Sequence, residues 1–257
     1  MNDNDCRTTV VRRERDDRTL IIRLHRPAKR NAFDAAMTAE LDCALNEFED
    51  DPELRVAILT GGDEMFSAGT DLSTGPGERT ARGGEYGVIR RRRRKPLIAA
   101  VDGHALGGGM EIVLACDLVV AARTATFALP EPRRGVIATC GGLFRTQRAL
   151  PLNVAKELLL TGEPLGAERG WHLGFVNVLT APGDALDGAL EVAERICRNA
   201  PVSVRESLTA LERVNSADDD AAWQITHDAM TTALASQDAI EGITAFFERR
   251  EPRWAHR

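Results

Sequence analysis

The stretch LIAAVDGHALGGGMEIVLACD, residues 97–117, constrains the fold more than any other part of the chain. Residues 97–101 are wholly apolar and read as a buried strand. Gly103 and then Gly107, Gly108 and Gly109 turn the chain, and an apolar helix follows over about residues 110–116. A second apolar strand at 118–121 and a short one at 126–128 come directly after. A strand that passes through a glycine turn into a helix and back into a strand builds parallel pairing with helical crossovers, so the fold class is α/β. The glycine run also has chemical meaning. Without side chains the backbone N–H groups meet a ligand closely, and a helix start adds unpaired donors and a partial positive charge. Such a place stabilises a bound anion or an oxyanion formed during reaction.

The rest of the chain is organised around this centre. Residues 8–11 and 19–24 alternate apolar and polar types around Asp16-Asp17, which predicts an N-terminal hairpin. A loop at 26–31 precedes a helix over 34–49, with Met37, Leu41, Leu45 and Phe48 at helical spacing. Beyond Pro52 comes a strand at 56–59 and a glycine-rich loop at 61–69. Residues 75–87, rich in glycine and charge, read as a mobile surface segment, followed by a helix ending in the run Arg90–Arg94. After Pro201 strand signals vanish and helical periodicity runs to Phe247. The expected division is a core over 1–199 and a helical region over 200–257.

Several function classes are excluded. None of the three lysines, Lys29, Lys95 and Lys156, follows a glycine, so there is no phosphate-cradling GK[ST] loop. GxSxG and HExxH are also missing. The five histidines (His25, His104, His172, His227, His256) and five cysteines (Cys6, Cys43, Cys116, Cys140, Cys197) are scattered, so no metal site is expected and a reducing compartment fits. The opening MNDNDCRTT is polar and partly acidic, unlike a secretory or transit sequence. The most apolar stretch, 112–122, is too short to span a bilayer and carries Asp117. We therefore expect a cytoplasmic protein with no membrane partner. A balance of 33 basic against 39 acidic residues, net −6, argues against nucleic acid. Arg90–Arg94 with Lys95 accordingly read as a solvated helix end whose cations suit the helix C-terminus.

Two carboxylates stand out. Glu111 falls in the first turn of the helix after the glycine run; it is either a functional carboxylate or a surface residue complementing the helix dipole. Glu131 sits in FALPEPRRG between Pro130 and Pro132, which fix the local backbone. Held in an apolar neighbourhood it suits general acid or base work; otherwise it is a loop residue paired with Arg133 or Arg134. In FSAGTDL, residues 66–72, the small-residue loop can present N–H groups from Gly69 or Thr70, and Asp71 resembles the N-cap of a following helix.

Taken together these motifs resemble the crotonase family, the enoyl-CoA hydratases and isomerases, along nearly the whole chain. The matching stretches are RPAKRNAF (26–33), MFSAGTDL (65–72), KPLIAAVDGHALGGGMEIVLACD (95–117), FALPEPRRGVIATCGGLFR (127–145), LLLTGEPLGAERGWHLGFVNVL (158–179) and AFFERREPRW (245–254). The resemblance implies a spiral of repeated ββα units with a helical C-terminal trimerisation region, assembled as a homotrimer or a dimer of trimers. It implies an oxyanion hole of Thr70 N–H and Gly108 N–H, with Glu111 and Glu131 as the catalytic pair. It places coenzyme A, as part of the substrate, near Lys29, Ala32, Ala68, Asp71 and Leu72, with Phe246 and Arg249 reaching it from this or a neighbouring subunit. The implied reaction is reversible syn addition of water to a 2-enoyl-CoA, with no further cofactor. Isomerisation or a specialised dehydration on the same fold is the alternative, and a non-catalytic acyl-CoA- or RNA-binding assembly protein a more distant one. The FALPE stretch is similar to carnitinyl-CoA dehydratase-like members. Several hydratases of that family have a Pro-Gly-Ala stretch where this chain has Ala138-Thr139-Cys140, and a backbone N–H there helps hold their catalytic water. Cys140, with no base beside it, reads as a packing residue.

Overall fold

The computed structural model describes residues 9–215 and 218–254; Cys6, Thr8 and His256 lie outside them. In chain order the strands are β1 (Val11–Asp16), β2 (Thr19–Leu24), β3 (Val56–Thr60), β4 (Met65–Ser67), β5 (Leu97–Val101), β6 (His104–Leu106), β7 (Leu118–Ala122), β8 (Thr126–Ala128), β9 (Leu165–Gly166) and β10 (Val178–Thr180). They form two sheets, ordered β1-β2-β3-β5-β7-β10 and β4-β6-β8-β9. Each successive turn of the chain from β3 onward thus adds one strand to the large sheet and one to the small sheet. The hairpin β1–β2 is antiparallel, with Asp17 in the left-handed region at its turn (φ 46°), and it begins at Val11. From β2 onward the large sheet is parallel.

Strands covered on both faces need unbroken apolar sequence, which is why VAILT and LIAAV read as continuous runs. Val56 and Ile58 of β3, with Ile98, Ala100 and Val120, pack on helix α6 (Ala185–Cys197) through Ala185, Ala189 and Val192. The alternate residues Ala57, Leu59, Leu97 and Ala99 face the main core with helix α1 (Ala35–Asp50). Asp34 caps α1 by accepting the Met37 N–H at 2.9 Å, and the predicted Met37, Leu41, Leu45 and Phe48 are all fully buried.

The chain continues through α2 (Gly108–Leu114), α3 (Gly142–Ala149), α4 (Leu152–Thr161), α5 (Ala167–His172) and α6 into α7 (Pro201–Asn215), α8 (Asp219–Leu234) and α9 (Gln237–Glu248). Helix α7 buries none of its residues, and Val202, Leu211, Val214, Ile225 and Ile240 leave apolar faces exposed along α7–α9.

Three expectations are corrected. The glycine loops at 61–69 and 103–109 each contain a three-residue strand, β4 and β6, too short for an alternating pattern to show. Residues 75–87 are not surface throughout: residues 77–79, 81 and 82 are exposed, but the segment ends packed against α1 with Tyr86 and Gly87 buried. No helix precedes the arginine run. A single 3₁₀ turn, Glu85–Gly87, leads into irregular chain in which Arg90, Arg92 and Arg94 are exposed while Arg91, Arg93 and Lys95 turn inward. Arg91 is buried and pairs with Asp42, Arg93 pairs with Asp117, and Lys95 Nζ donates to Phe48 O and Asp51 O at 2.7 and 2.6 Å. The lysine thereby satisfies carbonyls at the C-terminal end of α1.

Candidate active site

A cavity of about 550 Å³ opens where the small sheet meets α2 and the C-terminal helices. Its floor is the glycine run. Gly107 (φ 55°) is the N-cap of α2, so Gly108, Gly109 and Met110 begin the helix and Glu111 completes its first turn. Each glycine faces a different neighbour. A side chain at 107 would meet Glu131 Oε1 at 3.1 Å, one at 108 the Tyr86 phenol oxygen, and one at 109 the Ser67 carbonyl. The run is therefore demanded by what packs against it as well as by what it presents.

Opposite stands Thr70, bridged to Phe33 in a parallel β-bridge: Phe33 N–H donates to Gly69 O and Asp71 N–H to Phe33 O. Gly69 (φ 84°) lies so close to α2 that a Cβ there would come within 2.7 Å of Gly108 N. Thr70 and Gly108 are thus adjacent, and among the described residues neither N–H has an acceptor. Two free donors beside a helix start are the arrangement that stabilises an oxyanion.

Glu111 is only 2% exposed, which rules out the surface reading. Its Oε1 accepts the N–H groups of Cys140 at 2.6 Å and Gly142 at 2.9 Å. Burial, and then the neighbouring Glu131 carboxyl, push its pKa up to about 8 against the pull of those two N–H donors. Glu131 starts a 3₁₀ turn, Glu131–Arg134, after β8. Its Oε2 is buried with no partner, and burial raises its pKa to about 7, opposed by its own backbone N–H and then by Arg134. The pairing expected with Arg133 does not form, because Arg133 bonds Glu163. Arg134 lines the cavity instead, its guanidinium 4.9 Å from the ring centre of Phe246. The spacing explains it: in a 3₁₀ turn residues i and i+3 eclipse, so Glu131 and Arg134 share a face.

The remaining expected residues fall as follows. Lys29, Ala32, Ala68, Asp71 and Leu72 line one end of the cavity with Arg30 and Ser73. The buried Asn31 stitches them together, its Nδ2 donating to Met65 O and Phe66 O at 3.1 Å while its Oδ1 accepts from Arg26 N. Asp71 caps no helix. It accepts from Ser73 N at 3.0 Å and from Arg26 Nη1 at 2.8 Å, and the Ser73 hydroxyl and then Arg26 hold its pKa down at about 2. Phe246 lines the cavity; Arg249 does not, and ends α9 in a left-handed conformation (φ 54°). Cys140 is buried, and its contribution to the site is its backbone N–H on Glu111. Thr139 lines the cavity, and its N–H has no acceptor among the described residues.

Sequence reasoning missed Tyr86, Arg134, Val136, Ile137, Met230, Leu234 and Phe247, all of which line the cavity. The apolar ones repeat at spacings that a packed helix also shows. Tyr86 alone carried a signal, as the single tyrosine of the chain within GGEYG. Among the described residues no group of three or more His, Cys, Asp or Glu could hold a metal, and no helix is long and apolar enough to cross a membrane.

The fold is that of an α/β protein whose cavity holds two unpaired N–H donors at a helix start beside two carboxyl groups of raised pKa. The profile of the enoyl-CoA hydratase/isomerase family matches residues 14–257, and the chain belongs to that family. It is 37% identical over 254 residues to a carnitinyl-CoA dehydratase of Shigella flexneri, covering 95% of this chain and 97% of that one. It is 34% identical over 246 residues to a short-chain-enoyl-CoA hydratase of Clostridium acetobutylicum, covering 93% and 94%. Among solved structures, a carnitinyl-CoA hydratase from Mycobacterium avium superposes with a TM-score of 0.90 at 39% identity, covering 97% of this chain and 99% of that one. An enoyl-CoA hydratase from Mycobacterium tuberculosis gives 0.78 at 42% identity, covering 97% and 100%.

Proposed function

We propose that the protein adds water reversibly across the Cα–Cβ bond of a 2-enoyl-CoA thioester, and so also dehydrates the corresponding 3-hydroxyacyl-CoA. The observation that carries this reading is the pair Glu111 and Glu131, the first buried and the second with its Oε2 buried, both raised in pKa, lining one cavity beside two free N–H donors. Hydration needs that combination: a base for water, an acid for Cα, and a place for the charge that collects on the thioester oxygen.

The thioester oxygen lies between Thr70 N–H and Gly108 N–H, where one such donor is worth roughly 2.7–4 kcal/mol of barrier. Glu111, steadied by Cys140 N–H and Gly142 N–H through one oxygen, offers the other to water. Glu131, with its unpartnered Oε2, delivers the proton to Cα. The two carboxyls share one proton as a coupled pair, and water attacking Cβ exchanges with both. The thioester itself supplies the electronic activation, so the reaction calls for no cofactor beyond the coenzyme A of its substrate. Lys29, Ala32, Ala68, Asp71 and Leu72 form the coenzyme A end of the cavity, supported by the cations Lys29 and Arg30 there. The exposed apolar faces of α7–α9 support residues 200–257 as the surface of a homotrimer or a dimer of trimers, and a cytoplasmic setting accords with the free thiols of Cys43, Cys116, Cys140 and Cys197.

Adding crotonyl-CoA should bleach the absorbance of its conjugated thioester, and Glu131→Gln should abolish the bleaching. Turnover of a 3-enoyl-CoA with no hydrated product would favour isomerisation instead.

A further inference from the structure

Residues 75–94 contain the glycine-rich segment and the arginine run, which from sequence alone read as a surface segment and a solvated helix end. In the structure they are one device. Tyr86 is a bulky residue in the left-handed region (φ 53°, ψ 10°), a conformation that costs energy outside glycine and persists only where the surroundings enforce it. The enforcement is visible. Gly87 sits against α1, where a Cβ would come within 2.7 Å of Thr38 O and 2.8 Å of Asp42 N. Arg91 Nε donates to Gly87 O at 3.2 Å while the same guanidinium pairs with Asp42. Thr80 Oγ1 donates to Asp42 at 2.7 Å.

What this frame holds in place is a phenol that is 3% exposed and packed at 5.1 Å between ring centres on Phe33, the bridge partner of Thr70. The phenol oxygen lies 2.7 Å from Thr70 Oγ1 and fills the space that a side chain on residue 108 would take. It therefore touches both residues whose N–H groups face the cavity without accepting from either of them.

We propose that Tyr86 is a positioning residue of the oxyanion hole: its hydroxyl holds the Thr70 side chain and braces the Gly108 backbone, fixing the spacing of the two N–H donors. Gly108 is then glycine because Tyr86 occupies its Cβ space. This inference rests on the oxyanion role of Thr70 and Gly108, and the experiment separates the two.

The probe is 4-dimethylaminocinnamoyl-CoA, a thioester whose absorbance moves to longer wavelength as its carbonyl is polarised. Its shift is measured together with kcat and KM on crotonyl-CoA for the wild type, Tyr86→Phe, Thr70→Val and Thr70→Ser. Tyr86→Phe and Thr70→Val should each shrink the shift and lower kcat roughly three- to tenfold, the worth of one hydrogen bond, with KM little changed. The double variant should be no worse than Tyr86→Phe alone, because that change already removes the Thr70–Tyr86 bond together with the phenol's contact to Cys140. Thr70→Ser, which keeps the hydroxyl, should restore the wild-type shift. A Tyr86→Phe protein with wild-type shift and kcat overturns the positioning role and leaves the oxyanion hole standing. A wild type that binds the probe with no shift at all overturns the oxyanion hole, and this proposal with it.

Discussion

Glu111 and Glu131 enter one cavity from differently built walls. The Glu111 wall is made early and deep: a helix start inside the core, with the chain at 138–142 folded back so that two N–H groups grip one carboxyl oxygen. The Glu131 wall is a single 3₁₀ turn whose outer side is closed by α9, where Gly135 and Gly242 let the two backbones touch. One carboxyl is tethered and the other keeps a buried oxygen free. Burial is the main cause of the raised pKa in both, with the Glu131 carboxyl adding to it at Glu111, so the walls differ chiefly in how each carboxyl is held. A tethered carboxyl suits aiming a water, and a free oxygen suits passing a proton to carbon.

The comparison breaks most sharply if both walls are emptied of charge. Glu111→Gln and Glu131→Gln should each lower kcat by about 10²–10⁴, and the double variant should be little worse than the poorer single one, because the pair acts as a unit. Steady-state rates on crotonyl-CoA would check this; additive losses would mean that the carboxyls work separately.

A second test attacks the tether alone. Gly142→Ala places a methyl group about 2.9 Å from Glu111 Oε1 and disturbs the grip on the carboxyl. It should cost roughly tenfold or more in kcat, most of it in the Glu111 step. A comparable change far from the Glu111 wall, Gly166→Ala, where a Cβ meets nothing within 4 Å, should leave the rate near that of the wild type.

Acidity gives the third. With carboxyls raised to about 7 and about 8, the singly protonated pair that hydration needs is most populated between those values, so kcat/KM should be bell-shaped over that window. Stability carries the opposite mark from an ordinary salt-bridged acid. Both folded carboxyls bind protons more tightly than their ordinary 4.5, so the folded state loses stability as pH rises from about 4.5 through about 8. Glu111→Gln should therefore raise Tm relative to the wild type by more at about pH 9 than at about pH 5; an equal or reversed difference would mean the burial penalty is not felt. The smallest effect belongs to Arg134. Because it lowers the Glu131 pKa, Arg134→Leu should shift the bell of the coupled pair toward higher pH.

Much of this could be read from sequence, for physical reasons. The parallel sheet announces itself because strands buried on both faces must be apolar throughout. A helix start, a proline-locked turn and a small-residue loop, local events in consecutive residues, singled out Glu111, Glu131 and the 66–72 loop as candidates; the pairing of Thr70 with Gly108 and of the two carboxylates came from the family resemblance. Other contributions are made by the fold and not by any one segment. Cys140 and Gly142 matter through their backbone N–H groups, which any residue possesses. The arginine run looked solvated because a run of five cations has no local partner; its acids, Asp42 and Asp117, come from α1 and from the end of α2's turn. Tyr86 lies 16 residues from Thr70, and only the folded chain brings their hydroxyls together.

Hydration in water enriched in heavy oxygen tests the central claim most directly. Incubated with crotonyl-CoA, the wild type should place the label on Cβ of a 3-hydroxyacyl-CoA, and the Glu111→Gln, Glu131→Gln protein should place none above the uncatalysed background. Label carried into product at the wild-type rate by the double variant, or a wild-type product with no label at Cβ, would contradict the account.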